Sequence, residues 1–387
     1  MAFSPPFSLR SSLRAAGALL TAVALAATLL SAAPAQARRH HRWHQTPWTP
    51  STGPVFGNPN GTERQQYAVV NDLLRNINHA PRGSTITLVA YSFALERVTK
   101  SLTLAFRRGV RIRALIDSHS LSWPPARELG LLLNKKVGDA SYVGFSHGST
   151  RVPGGDLHQK TWLFSHVGKA HWVSMVGSTN LTNVCAEKEY SDMLTFTNRH
   201  DIYDEFMKVY RMQVRQRSVT RPYRFERFRG GDAYFLPMRY WTPQRDPVVI
   251  RIQNIPARRA TIKVAQFSWW GGRGAAIAKA LAVKSRQGAR ITAILGPHVS
   301  VQVRRILRRA GVHLRRGYFT NGTHVHSKLM LASYVRRNGR IWKVWTGSDN
   351  WAPESIGHDE VEFGYRSKAL WHSYIRFLDA IPIRRLR

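Results

Sequence analysis

The segment Thr85-Ile86-Thr87-Leu88-Val89-Ala90-Tyr91-Ser92-Phe93 returns later in the chain as Thr261-Ile262-Lys263-Val264-Ala265-Gln266-Phe267-Ser268-Trp269. Both copies are rich in β-branched and aromatic residues and read as strands. A helical segment follows each, 95–108 and 275–287, and each helix ends at a glycine, Gly109 or Gly288. A second strand comes next, 110–116 or 289–295, then an amphipathic stretch, 126–136 or 299–310, then a short strand, 142–145 or 312–315. The offset between copies drifts from 176 residues at Thr85/Thr261 to 179 at Gly109/Gly288, as loop insertions produce. Strands alternating with helices, all duplicated, predict an α/β protein. Its expected form is two duplicated αβ halves with mixed, largely parallel sheets related by pseudo-twofold symmetry. The halves are expected at 62–220 and 221–387, joined near an arginine-rich stretch.

Around this repeat the composition sets limits. The 387 residues carry 58 Lys+Arg against 22 Asp+Glu, a formal charge of +36, and 45 of the basic residues are arginines. A charge of that size draws the protein toward polyanions: nucleic acid, the anionic surface of a phospholipid membrane, or cell-envelope polymers. Arginine's planar fork of donors suits phosphate. Between Arg211 and Arg229 seven arginines interleave with Tyr223, Phe225 and Phe228, a pattern read here as a solvated linker. The single cysteine, Cys185, excludes a disulfide scaffold and any Cys-based zinc finger, and is read as a small buried residue.

At the N-terminus Arg10 and Arg14 precede an apolar run from Ala15 to Leu30, and Ala35-Gln36-Ala37 follows as a small-x-small site. That order predicts a signal peptide over 1–37, cleavage after Ala37 and a secreted protein. Residues 38–61, opening Arg38-Arg39-His40-His41-Arg42, are expected to be a basic, disordered tail.

Where the repeat continues, polar groups recur in register. His158-Gln159-Lys160 in the first copy is matched by His326-Ser327-Lys328 in the second. In a strand, residues two apart share a face, so each His and Lys should point together. Gly177-Ser178-Thr179-Asn180 starts 19 residues after His158, and Gly347-Ser348-Asp349-Asn350 starts 21 after His326. Glu189 and Glu360 then open further strand-like runs, with Glu187 a competitor in the first copy. An HxK alone would be weak; three matched elements in two copies are specific.

These residue types suit an anionic diester. Two ammoniums, Lys160 and Lys328, and two amides, Asn180 and Asn350, with Ser178 and Ser348 beside them, would hold non-bridging phosphate oxygens. Imidazole is nucleophilic near neutral pH and also carries protons. One of His158 and His326 would attack phosphorus while the other protonates the leaving oxygen and later deprotonates water. Glu189 and Glu360 would each fix a histidine tautomer by accepting its second ring N–H. The scheme needs no metal and no cofactor.

The paired HxK and GSxN elements, each followed by a Glu, resemble the phospholipase D superfamily over roughly residues 62–380. The resemblance implies one active site between two αβ halves and ping-pong phosphodiester chemistry. It carries functional roles onto His158, Lys160, Ser178, Asn180, His326, Lys328, Ser348 and Asn350, with His158 the favoured nucleophile. The family's Asp five residues after the Lys is replaced in both copies, by Ser165 and Ser333; a serine there can bond nearby backbone instead. The expected activity is that of a secreted phospholipase D-type phosphodiesterase. Phospholipid head groups are the leading substrate. A nuclease of the same mechanism and a catalytically weak polyanion binder are the alternatives. No protein partner is implied, and a monomer is expected. Trp269, Trp270 and Trp351 are read as core residues near the motif ends rather than cleft walls. Asp117 and His119, which lack counterparts in the second copy, carry no assigned role.

Overall fold

The computed structural model describes residues 47–133 and 136–382. The expected signal peptide and residues 38–46 of the expected tail lie outside them. Among the described residues no helix is long and apolar enough to cross a membrane.

The first half runs β1 (Gly53–Gly57), α1 (Glu63–Gln66), α2 (Ala68–Asn78), β2 (Thr85–Ala90), α3 (Glu96–Arg107), β3 (Arg111–Asp117), α4 (Pro124–Leu132) and β4 (Tyr142–Ser146). It closes with β5 (Thr161–Val167), β6 (Ala170–Gly177), α5 (Asn183–Lys188), β7 (Glu189–Phe196) and α6 (His200–Gln213). The second half opens β8 (Arg224–Phe228), β9 (Gly231–Leu236), α7 (Pro247–Gln253), β10 (Thr261–Trp269), α8 (Gly271–Arg286), β11 (Arg290–Val299), α9 (Val301–Arg309) and β12 (His313–Arg316). It ends β13 (His324–Val325), β14 (Lys328–Arg336), β15 (Gly339–Gly347), β16 (Glu360–Arg366) and α10 (Lys368–Ala380). Gly109 and Gly288 sit at φ +89° and +95°, a left-handed conformation that lets each helix end and the chain turn into the next strand.

Each half builds one sheet, in the orders β1-β7-β6-β5-β2-β3-β4 and β12-β11-β10-β14-β15-β16-β9-β8. The sheets are mixed. Within each half, parallel pairing is confined to β2-β3-β4 and β10-β11-β12, where helices make the crossovers. The other pairs within a half are antiparallel, and among them short turns join β5–β6, β8–β9 and β14–β15. The expectation of largely parallel sheets is narrowed accordingly.

Both faces of each sheet are covered, which is why β2 is buried along its whole length rather than alternating. Helices α2, α3 and α4 cover the outer face of the first sheet through Leu73, Ile77, Val98, Leu102 and Leu129. Helices α7, α8 and α9 do the same for the second through Val248, Ile252, Ile277, Leu281 and Val303. The inner faces form one shared core that runs from Val89, Leu163 and Leu194 to Leu329, Val344 and Phe363, with α6 and α10 packed into it. The two halves therefore share apolar burial.

Two expectations are corrected. Residues 47–61 are ordered and not part of a disordered tail: β1 pairs antiparallel with β7, and Trp48 lies under the Arg75 guanidinium, 4.3 Å away. The Gly- and Pro-rich sequence there hides a strand that exists only because β7 presents an edge. The arginine-rich stretch is likewise not all linker. Residues 224–228 form β8, the outermost strand of the second sheet, whose alternating burial hides Phe228 against Phe363.

Candidate active site

The HxK residues stand at the seam, just ahead of the strands they were expected to occupy: β5 begins at Thr161, and β14 at Lys328 itself. In the second half the approach to β14 leaves its own sheet. Strand β13 pairs in parallel with β7 of the first half, and the N–H groups of His326 and Ser327 both reach the Tyr190 carbonyl at 3.1 Å. The reciprocal contact is Asp359 N–H to the Asp156 carbonyl at 2.8 Å. Each half thus docks its histidine approach beside the other half's glutamate strand.

The result is a crossed arrangement. His158 Nδ1 lies 2.8 Å from Oε1 of Glu360, which belongs to the second half. His326 Nδ1 lies 3.2 Å from Oε2 of Glu189, which belongs to the first. Glu187 instead accepts a hydrogen bond from Tyr67 at 2.6 Å, away from either histidine. Lys160 Nζ bonds the His158 carbonyl. Lys328 Nζ lies 2.7 Å from the His326 carbonyl and 2.9 Å from His326 Nε2. Among the described residues no hydrogen bond reaches Nε2 of His158.

Two aromatic rings complete the walls. Tyr91 and Phe267, equivalent in the duplication, sit edge-on to His158 and His326 at 4.7 and 4.6 Å between ring centres. Each also underlies its own lysine ammonium at 4.9 Å. Both were visible as matched residues in the repeat; their side-by-side placement with His and Lys depends on the β2–β5 and β10–β14 pairings, which one strand read alone does not disclose.

The GSxN turns end β6 and β15. Their glycines are obligatory: a Cβ at Gly177 would run into the Asp192 carbonyl, and one at Gly347 into that of Val361. The hydroxyls of Ser178 and Ser348 are held inside their turns rather than projecting into open space, with Ser348 beside Glu360. Both are fully buried. Ser178 Oγ donates to Asp192 Oδ1 at 2.7 Å and accepts from Asp192 N–H, while Ser348 Oγ accepts from Val361 N–H at 3.1 Å. A hydroxyl one residue past the strand end is the right length to close the ladder with the neighbouring strand, so it pins the turn and leaves the asparagine to project. Asn180 and Asn350 are partly exposed, and the carboxamide oxygens of both find no hydrogen-bond partner in the protein. Ser165 accepts the Thr85 N–H at 2.9 Å, tying β5 to β2. Ser333 accepts from Arg340 at 2.9 Å.

Burial controls the charges. Desolvation brings Lys160 down to about 7 and Lys328 to about 8, eased by the glutamates. Burial, reinforced by Lys160 and Lys328, holds His158 well below the ordinary histidine value. Burial, with Lys328 and Lys160 adding to it, holds His326 well below the ordinary value too, against the opposing pull of the Glu189 charge. Glu360 is raised by burial to about 7, whereas Glu189, although burial would raise it too, is held far below the carboxylate range by His326, His324 and Lys328. Both imidazoles are thus held neutral, but their carboxylate partners are unequal. His158 is neutral beside a carboxylate on the verge of protonation, and His326 faces a firm anion.

Sequence reasoning passed over several supporting groups. Asp117 accepts from Leu157 N–H at 3.0 Å and from the His119 ring at 2.7 Å, which fixes the loop before His158. Arg151 and Asp359 form a fully buried pair at 2.8 Å, and Arg151 also donates to the carbonyls of Pro222 and Leu236. Asp359 in turn accepts from Thr150 and Gln213 and so anchors the residue next to Glu360. No spacing rule links these residues, since 208 positions separate the pair. Trp269 and Trp351 are core residues packed edge to face at 4.7 Å, as expected, while Trp270 is exposed.

A search of curated proteins returns no match for this sequence. Residues 73–213 match the family described as cardiolipin synthase, PLD-like domain. Among solved structures, the phosphatidylserine synthase of Haemophilus influenzae Rd KW20 aligns with 83% of this chain and 86% of its own at 11% identity and TM-score 0.57. The polyphosphate kinase of Porphyromonas gingivalis aligns with 85% of this chain at 15% identity and TM-score 0.54, and the present chain spans 50% of that kinase. Nuc of Salmonella typhimurium, a phospholipase D family member, aligns with 43% of this chain and 96% of its own at 18% identity and TM-score 0.34. The first half thus carries a match to a PLD-like domain, the second half repeats its motif residues, and the first two solved structures above share the fold of the whole chain: this chain is similar to the phospholipase D superfamily in fold and in motif.

Proposed function

We propose that the protein is a secreted phosphodiesterase that works through a covalent phosphohistidine on His158, with phospholipid head groups as substrate. The observation that carries the reading is the pair of crossed His–Glu contacts, each flanked by a buried lysine. Glu360 accepts the Nδ1 proton of His158, which leaves the Nε2 lone pair free to attack phosphorus in line. His326, next to the Glu189 anion, takes up a proton when the anionic diester enters the site and passes it to the leaving alkoxide. Lys160, Lys328, Asn180 and Asn350 hold the non-bridging oxygens as negative charge gathers on them. In the second half-reaction His326 takes a proton from water, the hydroxide attacks phosphorus, and the P–N bond to His158 breaks. Every step is completed by side chains of this chain.

The lipid reading is supported by the lipid enzyme named in the matched family's description and by a charge that favours anionic membrane surfaces. A nucleic-acid substrate is the second reading, and one specific feature favours it. A cavity of about 690 Å³ between α7 and the outer face of the second sheet is walled by Arg227, Arg251 and Arg336 together with Phe225, Tyr334 and Trp345. Cations beside aromatic faces suit the phosphates and bases of a single strand.

The test is hydrolysis of phosphatidylcholine, phosphatidylglycerol, single- and double-stranded DNA and bis(p-nitrophenyl) phosphate, side by side with EDTA present. Release of head groups with DNA left intact supports the first reading; the reverse supports the second. Loss of all diester cleavage in EDTA overturns the two-histidine mechanism.

A further inference from the structure

Cys185 stands beneath the catalytic seam. Thr182 caps α5 by accepting the Cys185 N–H at 3.0 Å, which turns the thiol inward, where it is buried and accepts from Asn180 N–H at 3.3 Å. The next strand begins four residues later with Glu189, and β13 brings His326 in from the other half. One ligand atom from each of Cys185, Glu189 and His326 lies within 4.8 Å of the other two, and all three residues are buried. Glu189 Oε2 and His326 Nδ1, although 3.2 Å apart, are misaligned, and each is buried with no hydrogen-bond partner. Thiolate, imidazole and carboxylate are the donor types that bind zinc. In a tetrahedral site with bonds of about 2.0–2.3 Å those donors stand roughly 3.3–3.8 Å apart. The cluster needs to contract by about 1.5 Å at most.

We propose that Cys185, Glu189 and His326 form an inhibitory site for a thiophilic divalent cation, Zn²⁺ foremost. On binding, the Cys185 S–H bond breaks, its proton leaves to solvent and an S–Zn bond forms. Glu189 ligates as the carboxylate it already is. His326 ligates through Nδ1, so its ring proton moves to Nε2. Solvent supplies the fourth ligand. Zinc thus occupies the place of the Nδ1 proton, so the ring keeps one N–H at Nε2 but can no longer become the imidazolium that protonates a leaving group, and Glu189 is tied to the metal. The reaction proposed above is therefore stopped at its acid. The inhibition rests on that reading, but the binding does not.

The two parts have separate readouts. In the EDTA-washed, thiol-free full chain, titration with Co²⁺ should produce a thiolate-to-cobalt charge-transfer band that saturates at one equivalent and is displaced by Zn²⁺. Because the chain has one cysteine, the wild-type spectrum alone assigns that band. Cys185→Ser should abolish it. In hydrolysis of bis(p-nitrophenyl) phosphate, Zn²⁺ should inhibit reversibly by EDTA, and Cys185→Ser should raise the half-inhibiting concentration at least about tenfold relative to its own metal-free rate. A cobalt complex without the thiolate band overturns the site, even if the protein proves inactive on every diester. A Cys185→Ser enzyme with unchanged zinc sensitivity overturns its inhibitory role.

Discussion

Replacing Glu360 or Glu189 by glutamine separates the roles of the two histidines. Each substitution removes a buried negative charge from a histidine Nδ1, at 2.8 Å in one case and 3.2 Å in the other, and leaves the volume unchanged. The charged hydrogen bond from His158 to Glu360 contributes about 1.5–3 kcal/mol, and the Glu189 charge, which faces His326 without an aligned hydrogen bond, about as much at most, so each change should slow the step its histidine performs by up to about 150-fold. Glu360→Gln acts on His158, the nucleophile, and should lower kcat/KM by that factor on every diester. Glu189→Gln acts on His326, the acid. It should slow a diester with an alkoxide leaving group by the same factor. It should hardly affect the first step with bis(p-nitrophenyl) phosphate, whose phenolate departs without a proton. Rapid-mixing measurement of the nitrophenolate burst reads that step directly. The expected pattern is a slowed burst in Glu360→Gln, and a normal burst with slow steady-state turnover in Glu189→Gln. The opposite pattern would assign the nucleophile to His326. Equal loss in both variants on both substrates would refute the division of labour.

Other expectations follow from the same geometry. His158→Ala and His326→Ala should each abolish turnover while thermal unfolding remains cooperative, and near-wild-type rates in either would remove the paired roles. The kcat/KM profile should be a narrow bell near neutrality. Below about 7 Glu360 takes up a proton and no longer accepts from His158, and above about 7–8 Lys160 and then Lys328 lose the charge that holds phosphate. A plateau two pH units wide would contradict that. Arg151→Met leaves Asp359 buried beside the site without its cation and should cost about 3–5 kcal/mol in denaturant unfolding, largely restored in the Arg151→Met/Asp359→Leu double variant. Gly177→Ala and Gly347→Ala force a Cβ onto a facing carbonyl and should each lower both stability and activity, read by melting temperature and diester hydrolysis.

The repeat was readable because both copies kept their strand and helix patterns: β10 occupies 261–269 as its sequence predicts, and Gly109 and Gly288 end their helices. The chemistry-bearing residues were readable for a related reason, since His, Lys, Asn and Glu recur at matched spacings. What stayed hidden depends on contacts distant in sequence. β1 is a strand only through the edge of β7. The crossed pairing of His158 with Glu360 and of His326 with Glu189 spans 202 positions in the first case and requires β13 to join the opposite sheet. The contacts of Ser178 and Ser348 stayed open because a serine at a turn is equally able to grip a ligand or to grip the adjacent strand; the register of β6 with β7 and of β15 with β16 holds both hydroxyls to the strand.

The crossing has a consequence for how this chain can change over time. A duplicated protein usually gains freedom, because one copy can drift while its twin keeps the original task. Here each carboxylate serves the imidazole of the other copy, so neither half holds a complete set to preserve. A shift in one docking strand starves the opposite histidine, and the remedy must arise in a segment encoded far away. The two copies are bound to evolve as partners, and a split or shuffled version of the gene regains a working centre only by bringing both pieces back together.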